Sequence, residues 1–494
     1  MITANNRTQF RPQLHFTPSN QWMNDPNGMV FYEGEYHLFY QYHPESTVWG
    51  PMHWGHAVSR DLVHWEHLSI ALSPDEHGAI FSGSAVVDKH DTSGFFAGKA
   101  GLVAIFTHHD TIPGTDQIRQ RQSLAYSMDR GRTWTKYANN PVLTEEALPD
   151  FRDPKVMWYE PSQCWVMVIA AGDYVRFYKS PNLKDWTYTG QFGLGQGSHD
   201  GVWECPDLFE LPIDNELNNT RWVLIVSIGD DVKFTEGSRT QYFIGTFNGD
   251  TFVPEESPAP LLWLDHGRDN YAGVTWSDVT EQQGRRLFIG WMNNWKYANI
   301  IPTADWRGAM TLPRELTLAT ELEGVRLHQK PIRELEAKRR NKVDRAAFEL
   351  RNSEITITEG DLLEIIAEFE ICDALDFGLK LRSSETEETV ISYCVQEHLL
   401  YMDRSRSGVT EFHEHFACKH NVELKPENGM IKLHIFVDWS SIEVFANDGK
   451  RVITDQIFPL STLAEIKMYA KNGSVSVKSL TIYTLNSIWS DTYQ

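Results

Sequence analysis

Short apolar runs of β-favouring residues recur along the first two-thirds of the chain, each bounded by polar turn residues. They read YHLFYQYHP (36–44), GLVAIFTHHD (101–110), CWVMVIAAGD (164–173), RWVLIVSIGD (221–230) and RRLFIGWMNN (285–294), and successive runs start about 60 residues apart. Runs this short predict buried strands rather than helices. A repeat of that length points to a propeller or a solenoid.

Each run follows a partner strand and a turn. GMVFYEGEYHLFY is the clearest hairpin, with Glu33-Gly34 at the bend. A third element also recurs, SRDLVHWE (59–66), SMDRGRTWTK (127–136) and SPNLKDWTY (180–188): a Ser, a polar turn, then a Trp. Strand, hairpin, strand, turn, strand is one antiparallel blade. Five such units predict a five-bladed β-propeller over residues 1–330, with a large β-sandwich of accidental spacing as the alternative. Residues 331–346, PIRELEAKRRNKVDRA, combine helix formers with clustered charge and predict a helical linker. From 347 to 494 alternating strand patterns return, with the hairpin signal NDGK among them, and predict a β-sandwich domain. The fold class is therefore all-β.

Composition narrows the function. The 494 residues carry a net charge of −22, which disfavours nucleic acid and anionic membranes as partners and favours a small neutral substrate. The 17 Trp raise the prospect of ring stacking on a sugar. Five dispersed Cys with no CxxC pair argue against a disulfide framework or a zinc site and favour a reducing compartment. The N-terminal MITANNRTQFRPQLHF has no apolar core of a signal peptide, and no run is long enough to cross a bilayer. A cytoplasmic protein is the expectation, unless a leader was removed ahead of Met1.

Chemistry concentrates where the blades begin. Aligned on their apolar runs, blade one opens with NDPNG, blade three with FRDPK and blade four with WECPD. Asp25, Asp153 and Glu204 thus fall at the entry of three inner strands, which a propeller brings together around its axis. One such acid is ordinarily a turn or cap residue. Three together repel one another unless a site uses them. Asn24, Gln41, Arg152 and Trp22 nearby suit a polyol, and paired carboxylates flanking a neutral polyol point to glycoside hydrolysis. His53, His56, His108 and His109 lack metal-site context, and no metal or other cofactor is expected. The Gly-rich GLGQGSHDG (193–201) has no phosphate-binding Lys and reads as a loop near the pocket.

WMNDPNG, FRDPK and WECPDLF, in that order, resemble glycoside hydrolase family 32, the invertase, levanase and exo-inulinase family. FSGSAVVD (81–88), IGWMNNWKYANIIPTADWRGAMTLPREL (289–316) and DWSSIEVFANDG (438–449) extend the resemblance over nearly the whole chain. It implies a five-bladed propeller with a trailing sandwich, and an exo-acting β-fructofuranosidase. By the same resemblance Asp25 is the nucleophile, Glu204 the acid/base, and Asp153 the stabiliser of the transition state. Asn24, Gln41, Trp49, Ser82, Arg152 and Trp291 are implied to grip the terminal fructose. Asp25, beside backbone donors of a tight turn, is expected to stay ionised, and Glu204 to have a raised pKa. Retention requires the two carboxyl groups about 5–5.5 Å apart, against about 6.5–9.5 Å for inversion. Sucrose-6-phosphate hydrolysis, fructosyl transfer and non-catalytic fructan binding are the rival readings. The sandwich is expected to buttress the propeller, extend the pocket rim, bind polysaccharide or mediate a homodimer.

Overall fold

The five apolar runs are the second strands of five antiparallel blades. In the first blade Gln21–Tyr32 is innermost, followed outward by Glu35–His43, His53–Ser59 and Trp65–Leu72. The inner strands of the remaining blades are Ala79–Asp88, Phe151–Tyr159, Trp203–Ile213 and Tyr271–Thr275. A parallel pairing of Trp306 and Arg307 with Gln21 and Trp22 closes the ring between the fifth blade and the first. These assignments come from a computed structural model that describes residues 9–231, 234–256, 259–279, 284–461 and 464–489.

The recurring Ser-turn-Trp element has a single mechanism in the first three blades. The indole N–H groups of Trp65, Trp134 and Trp186 donate to the carbonyls of Leu62, Gly131 and Leu183, at 3.1, 3.0 and 2.8 Å. Each accepting residue has positive φ, near +65°, +78° and +66°. Ser59, Ser127 and Ser180 accept backbone N–H groups of the same turns. The Trp thus ties the tight connection between the third and fourth strands to the blade's own body.

The sandwich is organised by one 21-residue strand, Glu465–Leu485, which passes through both layers. Its first half pairs with Asp376–Ser383 and its second half with Leu363–Ile371. Ile365, Phe377, Leu379, Ile435, Val444 and Val477 form the dry interior between the layers.

The linker departs from expectation. Residues 331–346 are helical only in part: a six-residue 3-10 helix, Arg333–Lys338, leads directly into a strand, Arg339–Arg345, that pairs with the end of Glu465–Leu485. Its charges are used in tertiary ion pairs, Arg285–Glu334 at 2.6 Å and Arg339–Glu364 at 2.7 Å. Available sheet edge and external partners outweigh a modest helix propensity.

Buried charges join the two domains. Arg314, fully buried in the fifth blade, binds Glu443 of the sandwich at 2.7 Å and Asp265 at 3.0 Å. His15 bridges Asp438 and Glu443 at 2.7 and 2.9 Å.

Candidate active site

Each of the five inner strands breaks register near its start. The interruptions fall between Met23 and Pro26, Ile80 and Gly83, Arg152 and Lys155, Glu204 and Asp207, and Tyr271 and Val274. A bulge adds a residue that the neighbouring strand cannot match, so side chains there are re-aimed out of the alternating pattern. Asp153, Cys205 and Ala272 take positive φ at these points, +64°, +47° and +52°. The segment NDPNG is therefore not a turn between strands but a bulged stretch of an inner strand, with Pro26 opposite Tyr40 and Asn27 opposite Phe39. Gly28 is required there: at φ +55°, a Cβ would lie 2.5 Å from the Phe39 ring and 2.9 Å from Trp54.

These re-aimed side chains line one axial pocket of about 150 Å³, formed by Asn24, Asp25, Gln41, Trp49, Phe81, Ser82, Arg152, Asp153, Glu204 and Trp295. The three acids meet here, though not in matching registers. Blades three and four superpose Glu204 on Arg152 and Cys205 on Asp153, so the acid of blade four comes from one position earlier. Arg152 faces it directly, with Nη2 2.9 Å and Nε 3.2 Å from Glu204 Oε1. The same Nε is 3.9 Å from Asp153 Oδ2.

Asp25 is oriented by side chains rather than by backbone donors. Asn24 Nδ2 donates to its Oδ1 at 3.0 Å, and Ser82 Oγ donates to Oδ2 at 2.9 Å. Trp22 has its role one step behind: its indole N–H donates to Asn24 Oδ1 at 2.8 Å, fixing which end of that amide faces Asp25. Gln41 is held by Asn27 at 2.8 Å. The Cys205 sulfur lies 3.5 Å from Asp25 Oδ2 and 3.6 Å from Asp153 Oδ2, and its backbone N–H donates to the latter at 2.9 Å. Tyr271, from the bulge of blade five, donates its phenol to Glu204 Oε2.

Crowding shows in the protonation behaviour. Burial, reinforced by Glu204, pushes Asp25 up to about 6 against the lowering effect of its three donors. The expected backbone donors are replaced by side-chain ones, and with a pKa of about 6 Asp25 is still mostly ionised at neutral pH. Asp153 rises to about 7, again chiefly by burial, although Arg152 opposes the shift. Burial works against charge on Arg152, but Glu204, Asp153 and Asp150 outweigh it and keep the guanidinium protonated. The Tyr271 phenol and the Cys205 thiol are both pushed well up by burial and nearby carboxylates, so both stay neutral.

Eight of the nine expected residues line the pocket. Trp49 stands at the mouth, 44% exposed, its backbone N–H donating to Asn299 Oδ1 at 2.9 Å. The exception is Trp291. It is fully buried behind the wall, against Trp22 and Trp295 at centroid distances of 6.0 and 4.8 Å, and Trp295 is the indole that reaches the cavity. Strand Arg286–Trp291 ends with its last side chain turned into the aromatic cluster, and the turn after it presents Trp295 instead. Phe81 and Tyr271 were also missed. The fifth inner strand's own bulge position marks Tyr271 in register with the others.

His53, His56, His108 and His109, set aside as metal ligands, do not line this pocket. His56 and His108 are buried, against His37 at 3.0 Å and Ser123 at 2.7 Å. A larger cavity, about 680 Å³, lies between the domains around Trp263 and Lys425. Each acid in its wall has a base within ion-pair distance: Glu236 with Arg239, Glu321 with Arg451, Glu323 and Glu423 with Lys425, and Glu427 with Lys450.

Clustered carboxylates at one end of a propeller axis, among neutral polar and aromatic groups, are the equipment of a glycosidase. Comparison with known proteins agrees. The Glycosyl hydrolases family 32 N-terminal domain matches residues 15–331 and the family 32 C-terminal domain residues 333–484. A levanase of Bacillus subtilis (strain 168) is 53% identical over 490 residues, covering 98% of this chain and 71% of that protein. The crystal structure of exo-inulinase from Aspergillus awamori superposes with TM-score 0.89 at 36% identity, over 98% of this chain and 100% of the other. The fructofuranosidase from Schwanniomyces occidentalis complexed with fructose gives 0.88 at 32% identity, over 99% and 100%. The chain belongs to glycoside hydrolase family 32 and is a glycoside hydrolase.

Proposed function

We propose that the chain is a retaining, exo-acting β-fructofuranosidase that removes terminal fructose from sucrose, fructo-oligosaccharides and levan- or inulin-type polymers. The observation that carries this reading is the shape of the carboxylate pocket. At about 150 Å³ it has room for about one sugar ring. Beneath it, between Pro26, Ser84, Lys155 and Pro206, the axis narrows to about 10 Å³, space for roughly a single water. A chain cannot thread through, so only a chain end enters. Arg152 is the only cation among the lining residues and is committed to Asp150 and Glu204, which suits a neutral sugar over a phosphorylated one.

In this mechanism Asp25 attacks the anomeric carbon while Glu204 gives its proton to the departing glycosidic oxygen. Glu204, now a carboxylate held by Arg152 and Tyr271, takes a proton from water. That water's oxygen displaces Asp25 and frees fructose. Asp153 holds the ring hydroxyls and, with Arg152, balances the charge of the oxocarbenium-like transition state. Asn24 and Ser82 spread charge on Asp25 when it leaves. Trp49, Phe81 and Trp295 rim the mouth where the leaving sugar sits.

Incubation with sucrose, sucrose 6-phosphate, inulin and levan tests the reading. Fructose as the sole product released from the polymers is the expected result. Internal oligosaccharides contradict exo action, preference for the phosphate contradicts the neutral-sugar assignment, and longer oligosaccharides at high sucrose indicate transfer.

A further inference from the structure

We infer that Cys418, in the sandwich domain, is a nucleophilic thiol that undergoes thiol–disulfide exchange with low-molecular-weight disulfides. Its sulfur lies 3.7 Å from His420 Nδ1, and His420 Nε2 lies 2.9 Å from Asp455 Oδ2. An imidazole beside a thiol can activate it by taking its proton; Asp455 acts on the ring through its charge, because neither His420 Nε2 nor Asp455 Oδ2 makes a hydrogen bond. His420 is 5% exposed and has no hydrogen-bonding partner at Nδ1 other than the sulfur among the described residues. Cys418 itself is half-buried.

The surrounding charges act in the same direction. Arg404 is fully buried, 3.4 Å from Asp455 Oδ1, and its backbone N–H donates to the Cys418 carbonyl at 3.0 Å. Arg268 of the propeller acts on the thiol, and Glu236 on His420, through their charges. Burial opposes a thiolate, but Arg404 and His420 outweigh it and hold the thiol below its ordinary value. For His420 burial is likewise overcome, by Asp455 and Cys418, and its pKa is pushed up to about 9.

In the reaction the Cys418 thiolate attacks one sulfur of the disulfide and forms a mixed S–S bond. The other half departs as a thiolate, so no external oxidant is needed. The adduct removes the thiol from its contact with His420, whose ring lies 2.9 Å from Asp455. That carboxylate belongs to the cluster in which Arg404 binds Asp269 at 2.5 Å and Tyr297 at 2.8 Å across the domain boundary.

The test is competitive alkylation of the native full-length protein with iodoacetamide, read by peptide mass mapping, with exposed Cys372 as internal reference. Taking the ratio of the two rates removes fixed differences in access. The Cys418-to-Cys372 ratio is expected to rise at least fivefold from pH 8.5 to pH 6. Glutathione disulfide is expected to place its adduct on Cys418 first and to lower Tm, with Cys418→Ser immune to the shift. A flat ratio, or a Cys418 left unlabelled in the native protein, overturns the inference. His420→Asn is expected to flatten the ratio; should that variant fail to fold, the wild-type ratio alone decides.

Discussion

Arg152 Nη2 lies 2.9 Å from Oε1 of Glu204, so the guanidinium of blade three directly pairs with the acid of blade four. Without that cation the pocket would hold three mutually repelling carboxyl groups and no counter-charge. Arg152→Gln is therefore expected to lower kcat by about 10²-fold or more. Because Arg152 also lowers the pKa of Asp153, its loss raises that pKa further from about 7. Titration of Asp153 in the variant, followed by carboxyl NMR, is expected to move to higher pH.

The pH profile reports on Asp25. As nucleophile it must be ionised, and its pKa of about 6 sets the acidic limb of kcat/KM for the free enzyme near that value rather than near 4. Ser82 donates to Asp25 Oδ2 and so favours the ionised form. Ser82→Ala is expected to shift the limb upward in pH as well as reducing the rate. An unmoved limb would show that another group sets it.

Stability and activity oppose each other at Asp25. A buried acid with a folded pKa raised to about 6 costs stability when ionised. That cost is fully present above pH 6 and vanishes below the unfolded value of about 3.9. At roughly 1.4 kcal/mol per pKa unit it is on the order of 2–3 kcal/mol. Asp25→Asn is expected to abolish turnover, by about 10⁴-fold or more, and to raise Tm at pH 7. A lowered Tm would mean that its hydrogen bonds outweigh the charge cost.

Between the domains the sign reverses. His15, held between Asp438 and Glu443, is pushed up to about 9 although burial acts against it. Its contribution is complete below its unfolded pKa of about 6.5 and is lost as pH rises through 9. Unfolding in denaturant from pH 6 to 9.5 is expected to show that loss, and His15→Gln to flatten it. Removing the partner charge is harsher: Glu443→Ala leaves Arg314 and His15 buried with less compensation and is expected to cost about 3–5 kcal/mol.

Much of this architecture was legible in the chain because a blade is a local object. The runs 36–44 to 285–294 identify second strands through burial alone, and Ser-turn-Trp marks the outer connections through a contact only three residues long. What failed depends on geometry beyond the local pattern. Bulges shift register by one residue without changing composition, so Glu204 was matched to Asp153 when Arg152 is its true counterpart. Trp291 and Trp295 are chemically alike, and only the path of the turn between them decides which one reaches the sugar site. Arg333–Arg345 carries helix formers, yet an unpaired edge of the long strand Glu465–Leu485 recruits most of it. The short hydrogen-bonding path from Trp22 through Asn24 to Asp25 was within reach of the sequence in spacing but not in direction.

Retention at the anomeric carbon, with Asp25 and Glu204 on opposite sides of one furanose, is the central claim. Methanolysis of sucrose or inulin reads it most directly, because a methyl fructofuranoside does not mutarotate and its anomer is resolved by NMR. The β-anomer as the sole methyl glycoside is the predicted product, formed by two successive inversions at one carbon. Methyl α-fructofuranoside would mean direct displacement without an Asp25 intermediate and would contradict the account.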